Sequence, residues 1–393
     1  MSTRRRFLAA TAGLAALPAK LVMAQSGRPS SPDDPRFVFV LLRGGMDGLS
    51  AVPAVGDPDF AAARAGLAEF GAAPLLLPGT AFALHPHLAS MHALYGRGEL
   101  AVLHAVGLPY RERSHFDAQQ VLESGGTHPY ELSTGWLGRT LTALGPSPHR
   151  SGLALTTAVP LVLRGSEQVD TWAPSALPEP TPDLVTRIEM LYADDKPLRE
   201  ALMRARSLRL QPGMTSGIGN PQGRQAVVAL ARKAGDMLAS ARGPRVAVLE
   251  LGGWDTHANQ ANPEGALAGN LRTLDAGLAA LRDALGVAWE RSVVLVATEF
   301  GREVAINGTQ GTDHGTGGAA FVAGGAVRGG RVLADWPGLA RAQRHEGRDL
   351  RVTTDLRAII KGVLSDHLRL TMSTIERTVL PGSDGLRAVS VLA

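Results

Sequence analysis

The chain of 393 residues contains no cysteine. That excludes disulfides, thiolate metal ligands and a cysteine nucleophile together, leaving any metal to oxygen and imidazole donors. Aromatic residues make up only 5 % of the chain, beside 46 glycines and 25 prolines. This composition suggests many short loops on an α/β scaffold, and no internal repeat is present. Past Ala24 no apolar run approaches the roughly 20 residues of a spanning helix, so no transmembrane anchor is expected. Excess charge is also missing from most of the chain. Of the 40 basic residues, Arg4, Arg5, Arg6 and Lys20 sit in a first segment that holds no acid, leaving 36 of each sign beyond it. The formal charge of +4 therefore carries no nucleic-acid footprint.

That first segment has its own order. Thr3-Arg4-Arg5-Arg6-Phe7-Leu8 is followed by the apolar run from Ala9 to Leu17, then Pro18, Lys20 and Val22-Met23-Ala24. A positive region, a short apolar region and small residues at a cleavage position define an export leader. Paired arginines before Phe-Leu resemble the twin-arginine signal, whose translocase carries folded proteins. The sequence thus predicts a removable leader at 1–24, a linker at 25–35 and a fold spanning 36–393. The destination expected is periplasmic or secreted, with the twin-arginine translocase as partner. The remainder is long enough to bury a sizeable core.

Apolar β-branched runs predict strands at 37–42, 100–106, 246–251 and 293–297. Short strands are expected at 153–157, 161–163, 319–323 and 332–333, and helices at 88–95 and 355–364. Leu267, Leu271, Leu274, Leu278, Leu281 and Leu285 form the apolar stripe of a helix over 264–285. With its flanking strands this makes a βαβ unit, parallel and right-handed in its crossover. Helical spacing over 181–208 and 224–241 leaves 151–243 as a helical insertion or as helices on the main sheet. The fold class expected is α/β, a mostly parallel central sheet with helices on both faces.

The polar residues collect where the strands end. Arg43-Gly44-Gly45-Met46-Asp47-Gly48 follows the first strand, and a loop leading to Ser114-His115 follows the second. Gly253-Trp254-Asp255-Thr256-His257 follows the third and Thr298-Glu299-Phe300-Gly301-Arg302 the fourth, with Asp313-His314-Gly315 downstream. In a parallel sheet these ends share one edge, where open α/β sheets bind ligands. Carboxylates and imidazoles gathered there suit one or two divalent ions, Zn²⁺, Mn²⁺ or Mg²⁺. Two such ions clamp the attacking and leaving oxygens of a displacement at phosphorus or sulfur.

These stretches, with Arg113-Ser114-His115-Phe116-Asp117, resemble the domain-of-unknown-function family 1501 over residues 37–330. That family is similar in turn to the alkaline phosphatase and sulfatase superfamily. The resemblance implies an alkaline phosphatase-like fold and a metal-dependent hydrolase of phosphate or sulfate esters. It implies Asp47, Asp255, His257, Glu299, Asp313 and His314 as metal ligands and Ser114 as nucleophile, with His115 and Arg302 as secondary candidates. No histidine follows Glu299, a departure from the superfamily's Asp-His pair that bears on a second ion. A formylglycine sulfatase is set aside, since that residue is usually made from cysteine. The rival reading is a non-catalytic periplasmic binding or assembly protein on the same fold.

Each candidate also has a plainer reading. Asp47 lies in a glycine turn, where aspartate is common. Ser114 with Asp117 makes a credible helix cap. Glu299 is placed for an ion pair with Arg302 or for a helix start. His85, His87 and His104 read as core or surface histidines.

Overall fold

The apolar run that opens the fold forms β1 (Arg36–Leu42), every residue of which is buried. The computed structural model describes residues 34–145, 151–166, 169–174, 181–209, 223–241 and 243–392. The leader at 1–24, most of the linker and parts of the 151–243 stretch lie outside the described residues. A two-stranded hairpin, β2 (Leu75–Leu76) with β3 (Ala83–Leu84), stands apart from the main sheet. That sheet joins β1 to β4 (Leu100–Gly107), β5 (Gly152–Ala154), β6 (Val169–Thr171), β7 (Val246–Leu251), β8 (Ser292–Thr298), β9 (Gly318–Ala323), β10 (Arg331–Leu333) and β11 (Thr354–Asp355). The order is β10-β4-β9-β8-β1-β7-β5-β6, with β11 also on β4.

The early helices are α1 (Gly48–Ala51), α2 (Phe60–Arg64), α3 (Ala89–Gly96), α4 (His115–Ser124) and α5 (Trp136–Ala143). Then come α6 (Pro182–Leu191), α7 (Lys196–Arg209), α8 (Gly223–Ala239), α9 (Ala266–Leu285), α10 (Leu356–Asp366) and α11 (Met372–Thr374). Alternation along β1 sends its side chains to two cores. Val38, Val40 and Leu42 meet α3, α8 and α9 on one face, where all six leucines of the predicted stripe are buried. Phe37, Phe39 and Leu41 meet α4, α5 and α10 on the other. The sheet is therefore covered on both sides, as a mostly parallel sheet requires.

All pairings of the main sheet are parallel except those of β9, which runs antiparallel to both β4 and β8. This one reversal decides where the chemistry collects. The C-terminal ends of β1, β4, β7 and β8 share an edge, and β9 begins on that edge instead of ending there. Residues just before β9 consequently join the loops that leave the other four strands.

Three expectations change. Residues 161–163 form a 3₁₀ turn instead of a strand. The helical stretch from 181 breaks between Leu191 and Lys196 into α6 and α7. β7 and β8 are parallel, but β1 lies between them, so the βαβ crossover spans an intervening strand. α8 packs against α9 and β7 on the main sheet.

Of the buried histidines His85, His104 and His367, the last two are neutral rings set against backbone carbonyls. His104 accepts the Ala105 amide on Nδ1 at 2.8 Å and faces the Val52 carbonyl with Nε2 at 2.9 Å, beside a bulge at Ala105 (φ 55°). His367 faces the Arg36 carbonyl at 2.7 Å. Burial lowers each from the ordinary 6.5 to about 4. Between those values the unfolded chain binds more protons than the folded one. Stability supplied by the neutral rings is thus whole above about pH 6.5 and falls as pH drops toward 4. Denaturant unfolding of the wild type and His104→Gln should show this, with a shallower decline in the variant across that window.

Candidate metal centre

The edge loops are held so closely that side chains are excluded between them. A Cβ on Gly44 (φ 120°) would lie 2.5 Å from the Asp255 amide, and one on Gly45 (φ 66°) 2.6 Å from the Phe300 ring. Arg302, buried, binds the loops together. Its guanidinium donates to Gly45 O at 2.6 Å, Gly44 O at 2.5 Å, Trp254 O at 2.9 Å and Thr312 O at 3.2 Å. One more donation, at 2.6 Å, reaches Asp255 Oδ1.

Around that oxygen three imidazoles converge. Asp255 Oδ1 lies 2.8 Å from His257 Nε2, 3.1 Å from His314 Nε2 and 3.4 Å from His115 Nε2. His314 Nε2 in turn lies 3.0 Å from His115 Nε2 and 3.1 Å from His257 Nε2. Two triangles thus share the Asp255–His314 edge, one completed by His115 and the other by His257. A tetrahedral ion with bonds of about 2.0–2.1 Å places its donors roughly 3.3 Å apart, close to these spacings. His115, Asp255 and His314 together satisfy the spacing of a metal-binding group. Asp255 and His257 are nearly half exposed, so the cluster opens to solvent.

The far side of the rings fixes their protons. His314 Nδ1 faces the Arg113 carbonyl at 3.0 Å, and a carbonyl only accepts, so Nδ1 carries the hydrogen. His115 Nδ1 likewise donates to Glu299 Oε1 at 2.8 Å. In the neutral rings both Nε2 atoms are then lone pairs, facing each other and an ionised carboxylate. Burial pushes Asp255 up, but the Arg302 hydrogen bond and charge outweigh it and bring the group to about 2. The Glu299 hydrogen bond raises His115, while burial lowers His314. Converging lone pairs without enough donors are the electrostatic demand that a divalent cation meets.

Not every expected ligand joins this cluster. Asp47 is buried and caps α1, accepting from the Leu49 and Ser50 amides at 3.0 and 3.2 Å. Its second oxygen takes the Ser50 hydroxyl at 2.9 Å, the Arg64 guanidinium and the Gln260 amide. With its lone pairs committed to five donors, Asp47 is a cap and ion-pair partner instead of an open ligand. Glu299 is committed in the same way, to Gly44 N, His115 Nδ1, Gln119 Nε2 and Thr298 Oγ1 at 2.8–3.0 Å. Burial raises its carboxyl, and the bonds from His115 and Gln119 reverse that, leaving it lowered behind His115. Asp313 stands 3.5 Å from His257 Nδ1 and is lowered chiefly by the Asn307 amide at 3.0 Å. Ser114 occupies the cap position of α4 without making the cap bond, and no hydrogen bond joins its hydroxyl to any of the three imidazoles. The reading of 114–117 as a capping unit is thereby replaced, since Asp117 accepts from Tyr110 at 3.1 Å.

His115 moves from secondary candidate to member of the cluster. Its signal in the sequence is an imidazole directly after a strand-end loop, at the start of a helix. Arg113 contributes through its carbonyl and Gln119 through its amide, and neither role leaves a mark in residue type.

A family model described as a protein of unknown function, DUF1501, matches residues 68–383. The chain belongs to this family. No curated protein matches it. Solved structures similar to this DUF1501 chain include a 2-O GAG sulfatase, with a TM-score of 0.43, 10% identity and coverage of 91% of this chain and 73% of that one. Another is a protein in the alkaline phosphatase superfamily from Vibrio parahaemolyticus, with a TM-score of 0.41, 10% identity and coverage of 86% and 68%. A third is the C-terminal periplasmic domain of EcEptC from Escherichia coli in complex with zinc, with a TM-score of 0.39, 10% identity and coverage of 76% and 74%.

The roles of Asp47 separate cleanly by experiment. Asp47→Asn strands the Arg64 charge in the interior and should cost about 3–5 kcal/mol in urea unfolding. Its divalent-ion content should equal that of the wild type by elemental analysis.

Proposed function

We propose that this protein is an exported, metal-dependent hydrolase of phosphate or sulfate esters. The observation that carries the reading is the convergence of three imidazole Nε2 atoms on Asp255 Oδ1 at 2.8–3.4 Å. His115, Asp255, His257 and His314 would hold one ion, and Glu299, Asp313 and the Arg113 carbonyl would orient the rings from behind. Three nitrogens and one carboxylate favour Zn²⁺ or Mn²⁺ over Mg²⁺, which prefers oxygen. Because Asp47 and Glu299 are saturated by protein donors, the proposal is for a single ion. When bound, the ion supplies Lewis acidity toward an ester oxygen and toward water.

The chain's own groups supply the rest. Ser114 precedes His115 at a helix start whose cap bond is not made, so the first amides of α4 and its dipole favour an anionic ester group. Ser114 is the nucleophile in this reading. Arg302 keeps Asp255 ionised, and Glu299 keeps the His115 proton on Nδ1. A second reading, a non-catalytic binding or assembly protein, is favoured by Ser114, whose hydroxyl is hydrogen-bonded to no base among the described residues.

Elemental analysis of the purified protein should find one equivalent of Zn or Mn, lost in Asp255→Ala and in His314→Ala. Metal-free wild type, or unchanged metal in both variants, would sink the proposal. A panel of phosphomonoesters, phosphodiesters and sulfate esters then separates the two readings. Ser114→Ala should keep the ion and lower kcat by at least about a thousandfold. A loaded protein inert across the panel establishes the binding reading.

Export belongs to the same proposal, with the twin-arginine translocase as partner and the periplasm as destination. Among the described residues no helix is long and apolar enough to cross a membrane. Arg4→Lys with Arg5→Lys should retain the protein in the cytoplasm on cell fractionation, and undiminished export would break the assignment.

A further inference from the structure

We infer that Asp349 is a positioning residue for the metal centre, acting on His314 through Arg113 and Arg348; the inference rests on the metal-centre reading above. Arg113 has φ 61°, a left-handed conformation that side chains bearing a Cβ rarely adopt. In that conformation its carbonyl takes the His314 Nδ1 hydrogen at 3.0 Å. Something must hold Arg113 there. Its guanidinium donates through Nε to Asp349 Oδ2 at 2.8 Å and through Nη2 to Glu346 Oε2 at 2.6 Å. Glu346 is 60% exposed whereas Asp349 is 0% exposed. Solvent screens the first contact and not the second, so Asp349 supplies the hold.

The other oxygen of Asp349 acts on the opposite side of the same histidine. Asp349 Oδ1 accepts from Arg348 Nη1 at 2.8 Å, and that Nη1 also donates to the His314 carbonyl at 2.8 Å. One buried carboxylate thus joins two guanidinium groups, one governing the acceptor of the His314 ring and the other, which Glu303 also holds at 2.7 Å, its backbone. Asp349 is itself fixed by a tight turn, its amide donating to His345 O at 3.0 Å and its carbonyl accepting from His345 N at 2.9 Å. The consequence falls on tautomer and direction. With Nδ1 bound to the Arg113 carbonyl, the His314 lone pair sits on Nε2, the atom shared by both triangles of the cluster. Asparagine at 349 would accept from one arginine and oppose the other with its own amide hydrogens.

The test uses the full mature chain carrying Asp349→Asn or Arg113→Gln. Zinc affinity is measured by chelator competition, and the apo-protein imidazole N–H signals by NMR, with His314 assigned through its loss in His314→Ala. Each variant is expected to bind zinc about 10- to 100-fold more weakly. Each should also shift or broaden the His314 Nδ1–H signal in the apo protein, which a brace acting elsewhere would leave alone. Wild-type affinity with an unchanged His314 signal overturns the inference. If Asp349→Asn does not fold, Arg113→Gln decides, since it removes the same grip from a side chain that is 25% exposed and not from a fully buried one. A wild type that binds neither zinc nor manganese refutes the metal reading, and the imidazole signal still decides the role of Asp349.

Discussion

A guanidinium sealed from solvent must find an acceptor for every N–H it carries, and Arg302 finds them on separate loops. Carbonyls of Gly44 and Gly45 come from the end of β1, that of Trp254 from the end of β7, and that of Thr312 from the approach to β9. These loops also anchor Met46, Trp254 and Phe300 in the cores, and the glycines at each junction let their backbones come close enough for one guanidinium to join them. Withdrawing Arg302 would leave buried carbonyls unpaired on three sides and Asp255 without its cation. The geometry of the cluster follows from this one side chain. Asp255 is drawn to the point where the loops meet, and the imidazoles are aimed at it from behind.

The aiming is done by acceptors. Glu299 takes the His115 proton, the Arg113 carbonyl takes that of His314, and Asp313 stands behind His257. In each case the group behind the ring decides which nitrogen is left bare. Site residues of this kind are read from their neighbours and not from their own identity. Asp47 and Glu299, both expected as ligands, have the right chemistry and the right strand ends. What removes them from the front rank is that Arg64, Gln260 and His115 reach them first.

This bears on how much the sequence discloses. The strands β1, β4, β7 and β8 are legible as apolar β-branched runs, and α9 as a leucine stripe at helical spacing. That their ends would converge follows from the parallel sheet alone. β9 is different, because Gly318–Ala323 is a short apolar run with no mark of direction, and its reversal appears only in the assembled sheet. The break between α6 and α7 did carry a mark, Pro197 at the second position of the new helix, where proline is at home. Asp349 carried none. It sits among Arg344, Glu346, Arg348 and Arg351, a stretch that reads as solvated surface, and only its burial distinguishes it.

The reversed strand has a further effect, on the order in which the molecule can become complete. His115 and His314 are 199 residues apart in the chain, and His314 arrives from the upstream end of β9, not from a strand that simply runs out to the edge. The cluster therefore cannot assemble locally. β4, β8 and β9 must already be paired, and the turn holding Asp349 must have closed, before the last imidazole faces the first. Contacts this distant pay the full entropy of loop closure before any reward arrives. A ligand that recognises only the finished cluster binds none of the partly folded forms and draws the population toward the closed one. Completion of the cluster therefore waits on strand direction and marks the sheet as threaded in its proper order.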